Sequence, residues 1–248
     1  RRFLPHPVFA YVSGGCETDR SLRANREAFR RHAWVTRVLR DTSGRSLATS
    51  LFGHEYAAPF GIAPVGISAL SAYQGDLVQA RAARAANIPM ILSGTSLIPM
   101  EKVIQANPYA WFQAYVPGET DRIHKLLDRV EQAGFRTLVV TVDTPVSGNR
   151  ENNIRAGFST PLRPSFSLAW QGVTHPGWLF GTALKTLVRH GMPHFENSQA
   201  TRGAPILSSS VLRDFGARDH LSWEHLALIR RRWRGTVVVK GVLHPADA

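Results

Sequence analysis

The sequence predicts an α/β fold built on a parallel sheet, and three observations point there. Short apolar runs recur along the 248 residues. Each run is apolar through most of its length instead of alternating, as a strand buried on both faces reads. Helical patterns fall between the runs, and strand–helix alternation implies right-handed crossovers in one sheet.

The runs occupy residues 59–64, 89–93, 110–116, 137–143 and 236–241. The segment 76–86 between the first two is rich in Ala and Arg, which suits a helix. The next helix, 99–106, begins with Pro99, a residue suited to a first helical turn. In 119–133, Ile123, Leu126, Leu127 and Val130 fall on one face at i, i+3, i+4 and i+7. Ser222 is placed to cap a helix that buries Trp223, Leu226, Ile229 and Trp233.

The first three repeats have the length of units in a (β/α)8 barrel. The fourth is much longer. Residues 157–220 are rich in Pro, Gly, Ser and aromatics and read as a long insertion after the fourth strand, at the top of the barrel. Its basic residues (Arg163, Lys185, Arg189, Arg202, Arg213, Arg218) outnumber its acids, Glu196 and Asp214 among them. Trp170, Trp178, Leu179 and Phe180 interleave with them. Only about five of eight barrel strands are accounted for, so residues 1–248 are expected to form one incomplete domain. The first residue is Arg1, not Met, and the start of the protein is expected to be missing.

Lys and Arg number 30 against 18 Asp and Glu, a formal charge of +12, which favours anionic partners without choosing among them. The single cysteine, Cys16, excludes an intramolecular disulfide and fits a reducing, cytoplasmic compartment. No apolar run reaches the ~18 residues of a membrane span, so any membrane contact is expected to be peripheral.

Barrel chemistry sits at the C-terminal ends of the strands. Those ends offer Ser93, Gln113, Tyr115, Thr141, Asp143 and Lys240. A polar group in an apolar strand is costly unless it has a partner. One such residue reads as an ordinary core hydrogen bond; a series at one level of successive strands reads as a site. Lys240 ends a run of three valines and must snorkel to water or meet an anion. Arg150 could clamp a carboxylate, or stand in solvent as most loop arginines do. No histidine pair or Cys–x–x–Cys has metal spacing, and no metal is expected. His175, His190 and His194 are expected in structural or surface roles. There is no GxGxxG, no Walker A motif and no recognised nucleic-acid-binding motif.

Several of these segments, in this order, resemble the FMN-dependent 2-hydroxy-acid dehydrogenases and oxidases. They are 11–15 (YVSGG), 22–29 (LRANREAF), 62–66 (IAPVG), 111–116 (WFQAYV), 141–145 (TVDTP) and 239–242 (VKGV). The resemblance implies a TIM barrel with an N-terminal helical segment and bound FMN. It implies that Ala63, Pro64, Val65 and Gly66 back the flavin ring, and that Ser93, Gln113 and Thr141 hydrogen-bond it. Lys240 would balance negative charge on the reduced ring, with Asp143 in the same site. Tyr11 and Arg150 would bind the substrate carboxylate, and Tyr115 the hydroxyl.

The reaction implied is oxidation of an L-2-hydroxy acid to a 2-oxo acid, with lactate the first expectation and mandelate the next. Thr95 and the insertion would shape the side-chain pocket. In the family the histidine base, a second arginine and the FMN phosphate site follow the sixth to eighth strands; none of these is matched here, and His244 is not the base. Gly66 stands where dehydrogenases of the family carry Gly and oxidases Ala. The insertion resembles that of bacterial lactate and mandelate dehydrogenases, in which it aids membrane attachment and a quinone or other membrane acceptor takes the electrons. For this chain, contact of 157–220 with a membrane and a solvated lid both stay open. The family also implies a homo-oligomer, often a tetramer. Two further readings remain: a truncated, non-catalytic fragment of such an enzyme, and a basic nucleic-acid-binding protein.

Overall fold

A computed structural model describes residues 2–163, 165–210 and 219–248. Arg213, Asp214 and Arg218, counted above in the insertion's charge, lie outside the described residues.

Two helices, α1 (His6–Ser13) and α2 (Arg20–Arg30), precede a small antiparallel hairpin, β1 (Thr49–Leu51) and β2 (His54–Tyr56). Then come α3 (Ser68–Ser71), α4 (Gly75–Ala86), β3 (Ile91–Ser93), α5 (Met100–Ala106), β4 (Trp111–Ala114), α6 (Thr120–Ala133), β5 (Thr137–Thr141) and α7 (Glu151–Arg155). After the insertion, a helix at Trp223–Arg232 leads into β6 (Thr236–Lys240). Strands β3, β4, β5 and β6 pair in that order, all parallel. This is an arc of a βα barrel with helices on its outer face.

The arc holds together as its apolar pattern dictates. Ile123, Leu126, Leu127 and Val130 of α6 are all buried, with Met100 and Val103 of α5 and with Leu92, Phe112 and Leu138 of the sheet. Burying one such side chain contributes about 1.5–3 kcal/mol, so the predicted stripe of α6 is its main attachment. Strand β5 is buried at all five positions, as its continuous apolar run requires. α6 ends on Gly134 at φ +104°, a backbone region that Gly enters without strain. Ser222 caps its helix as predicted, in a reciprocal pair with His225.

Several expectations are corrected. The run 59–64 is not a strand: Ile62 alone bridges Met90, with Ile62 N–H donating to Pro89 O at 2.8 Å. Pro59 and Pro64 bracket it without N–H groups, and among the described residues its outer side has no strand to pair with. Pro99 is the N-cap of α5, one place before the first turn. Trp223 is 63% exposed, because the first residue of its helix projects past the core that Ile229 and Trp233 enter. The insertion, expected as a loop, carries helices between residues 166 and 190: α8 (Phe166–Val173), α9 (Pro176–Trp178), a π-helical turn at Leu179–Leu184 and α10 (Lys185–His190).

The root of the insertion is fastened to the barrel. Met100 N–H donates to Asn197 Oδ1 at 2.8 Å, and Asn197 Nδ2 donates to Ile98 O at 2.8 Å. Arg129 of α6 donates to Glu101 and to the carbonyls of Glu196 and Gln199. α2 by contrast buries nothing, and Trp34 just beyond it is 97% exposed.

Candidate active site

The ends of β3, β4, β5 and β6 carry Ser93, Gln113, Thr141 and Lys240. Parallel register sets Ser93 beside Gln113, and Thr141 beside Lys240. Ser93, Gln113 and Thr141 are buried. Ser93 Oγ donates to Gln113 Oε1 at 3.3 Å, and Gly94 N–H reaches the same oxygen at 3.3 Å. These bonds hold the amide by its oxygen and leave Nε2 over. Gln113 Nε2 and Thr141 Oγ1 are buried and, among the described residues, have no hydrogen-bond partner. Leaving such a group unsatisfied costs about 1–3 kcal/mol. Two of them on adjacent strands mark a place where a polar ligand would complete the fold.

Lys240 meets an anion, one of the two alternatives its position posed. Its Nζ lies 3.5 Å from Asp143 Oδ1, with the lysine side chain 42% exposed. Gly241 permits this pair. It sits at φ +112°, and a Cβ there would come within 2.4 Å of Asp143 Cβ. The cation is therefore fixed beside Thr141 at the rim.

The other candidates converge at the opposite end. A Cβ on Gly66 would fall 2.4 Å from Thr95 Oγ1 and 3.4 Å from the Tyr11 hydroxyl. Thr95 in turn shares a 2.9 Å hydrogen bond with Ser93. Tyr11 stacks on Phe158 at 4.7 Å, and Arg150 lies over the Tyr11 ring at 5.6 Å. Burial pushes the Tyr11 phenol above its ordinary range; Arg150 opposes this and Tyr115 adds to it. Tyr11, Tyr115 and Arg150 thus share one electrostatic neighbourhood. α1 is held there by Asn152 Nδ2, which donates to Ala10 O at 3.0 Å. Ala63 and Val65 are exposed and Pro64 half-buried, along the segment that leads from the Ile62 bridge to Gly66.

Two neighbours went unremarked in the sequence. Phe158 lies far from Tyr11 in the chain and carried no signal. Asp76 is buried at the start of α4, and its carboxyl is pushed up to about 6 by burial. An acid in a first helical turn reads as an ordinary dipole partner, which hid it. The described residues contain no cluster of His, Cys, Asp or Glu able to hold a metal. No described helix is long and apolar enough to cross a membrane.

Set against known proteins, the chain matches the model of the family described as FMN-dependent dehydrogenase over residues 1–248. It is 36% identical over 252 residues to an L-lactate dehydrogenase of Pectobacterium atrosepticum, covering 100% of this chain and 64% of that protein. An L-lactate dehydrogenase of Xanthomonas euvesicatoria is 38% identical, with 99% of this chain and 63% of that protein covered. Among solved structures, a monotopic membrane protein, (S)-mandelate dehydrogenase, superposes with a TM-score of 0.86 at 31% identity, covering 100% of this chain and 65% of that one. A mandelate oxidase superposes with a TM-score of 0.74 at 28% identity, over 100% and 60%. The chain thus spans a little under two thirds of the length of these relatives. With the parallel arc and the polar strand ends, these matches identify the fold as part of a TIM barrel, and the chain belongs to the FMN-dependent dehydrogenase family.

Proposed function

We propose that the protein of which these residues form the larger part oxidises an L-2-hydroxy acid to the 2-oxo acid with FMN as cofactor, lactate first and mandelate next. The observation that carries this reading is the pair of buried, unpartnered groups, Gln113 Nε2 and Thr141 Oγ1, beside the fixed cation of Lys240. A flat ring edged with acceptors and able to carry negative charge fits that set. FMN, when bound, supplies the acceptor for two electrons. Ser93, Gln113 and Thr141 would hydrogen-bond it, Lys240 would balance its negative charge, and Ala63, Pro64, Val65 and Gly66 would back it.

At the other end, Arg150 and the Tyr11 hydroxyl bind the substrate carboxylate. The Tyr11 phenol, like any tyrosine at neutral pH, is protonated and so can donate. Tyr115 contacts the substrate hydroxyl. Asp143 holds Lys240 at its station, and Thr95 with the insertion bounds the side-chain pocket. Natively purified full-length protein should be yellow and should bleach on addition of L-lactate. A colourless preparation sinks the reading. Turnover of a panel of 2-hydroxy acids separates lactate from mandelate.

Electrons then pass to a quinone or other membrane acceptor. The insertion supports this, for Phe180 is 65% and Val188 84% exposed, with Lys185 and Arg189 nearby. Apolar side chains mixed with cations suit an anionic lipid surface, which supports peripheral attachment to the cytoplasmic side of a membrane; the homo-oligomer follows from the family resemblance alone. A second reading concerns residues 1–248 alone. Strand β6 and the segment at Ile62 each leave one side unpaired among the described residues, which favours a flavin-side piece that does not turn over by itself. Assaying this segment beside the full-length protein decides it.

A further inference from the structure

Between the insertion helices and the barrel lies a cavity of about 400 Å³ that none of the roles above uses. Leu70, Leu97 and Ile98 line it from the barrel side, and Ala183 and Leu187 from the insertion. Trp178 lines it too, with its indole N–H already donated to Leu70 O at 2.8 Å. The walls are therefore mostly apolar, and the volume is that of a site for a ring-sized molecule. Lys102 on the lining supplies hydrogen-bond donors. The insertion side is held on by His190, whose Nε2 pairs with Tyr73 Oη at 2.8 Å and Gln74 Nε2 at 3.2 Å.

Two further features bear on the occupant. The same helices line the cavity through Ala183 and Leu187 and expose Phe180 and Val188, side chains that suit a lipid surface. On its inner side, Leu97 and Ile206 pack in one apolar cluster with Ile67 and Phe158, and Tyr11 packs against that cluster. One apolar cluster thus lies between the cavity and the candidate active site. A dehydrogenase must hand its electrons to something, and a lipid-soluble acceptor needs an apolar berth near both membrane and flavin.

We propose that this cavity binds the ring of a lipid-soluble quinone, with a ring carbonyl toward Lys102. The inference rests on the hydroxy-acid reading above and gives the acceptor its own site. The balance closes: the hydroxy acid loses its Cα hydrogen and its hydroxyl hydrogen to become the oxo acid. The quinone gains two electrons and two protons and leaves as the quinol.

The test uses full-length, flavin-loaded protein and a short-chain ubiquinone. Quinone binding is read as quenching of tryptophan emission, to which Trp178 contributes. Ala183→Phe fills the cavity. It should weaken quinone binding and raise the KM for quinone at least tenfold. The rate of bleaching by hydroxy acid and reduction of a water-soluble dye should stay unchanged. Unaltered quinone affinity in folded Ala183→Phe overturns the site. Should that variant lose its flavin, Thr186→Phe on the same wall is read in the same way. Quenching that the filling variant abolishes, in a protein that hydroxy acid does not bleach, upholds the site and removes only the hydroxy-acid reading.

Discussion

At the strand ends, polar groups are buried and lack partners; on the insertion helices, apolar groups are exposed and lack partners. Gln113 and Thr141 belong to the first kind, Phe180 and Val188 to the second. Both conditions cost free energy in water, and each names what would relieve it. The strand ends call for a polar ligand that reaches them without water. The helices call for an apolar surface. The two regions thus present opposite unmet needs, and the fastened root of the insertion joins them.

Lys240 carries the largest expected effect. Lys240→Ala in the full-length protein should slow flavin reduction by about 10²–10³-fold, the loss expected for one fixed electrostatic group. Stopped-flow absorbance reads it, and a near-normal rate would strip Lys240 of its role. Asp76 tests whether buried polarity alone marks a ligand site. Its carboxyl rises from 3.8 to about 6 through burial, so its contribution to stability is complete below the lower value and lost as pH climbs through the upper. Asp76→Asn should therefore be more stable than the parent at pH 7, by up to about 3 kcal/mol, with the gain vanishing near pH 4. Urea midpoints at both pH values decide it, and a pH-independent difference refutes the assignment.

Thr141→Val sharpens the contrast further. Without ligand, the change removes an unsatisfied hydroxyl and should leave stability unchanged or slightly raised. Flavin affinity, measured by release on dialysis, should fall about tenfold. Equal losses in both would make Thr141 an ordinary core residue. The smallest effect belongs to the insertion. Phe180→Ser with Val188→Ser should leave stability within about 0.5 kcal/mol, as exposed sites do. Sedimentation with anionic vesicles should drop about fivefold, and undiminished binding would return the helices to the role of a solvated lid.

Much of this was legible in the sequence, for reasons that differ by element. The stripe on α6 announces itself because burial on a fixed period leaves few other readings, and the valines of β6 because an unbroken β-branched run does so too, although that strand is only half-buried here. The row Ser93, Gln113, Thr141 and Lys240 shows as polar ends on apolar runs. What the sequence does not carry is direction. Which atom of Gln113 is left over depends on Ser93 and Gly94 holding its oxygen, a matter of register across strands. The hairpin β1–β2 escaped because its turn is Phe52–Gly53, with Phe52 at φ +54°. A type I′ turn is normally announced by Asn or Asp at that place. The helices of the insertion were masked by its Pro and Gly content.

Arg129 gives the insertion two dynamic regimes. One guanidinium binds Glu101 and two insertion carbonyls, and Asn197 closes the same joint from the other side. In hydrogen exchange, the amides of Met100 and Glu196 should open only with the barrel, whereas those of α8 and α10 should open on their own. The insertion is in that sense clamped at its foot by a guanidinium and an amide, and tied further out by single side chains, Trp178 and His190 among them.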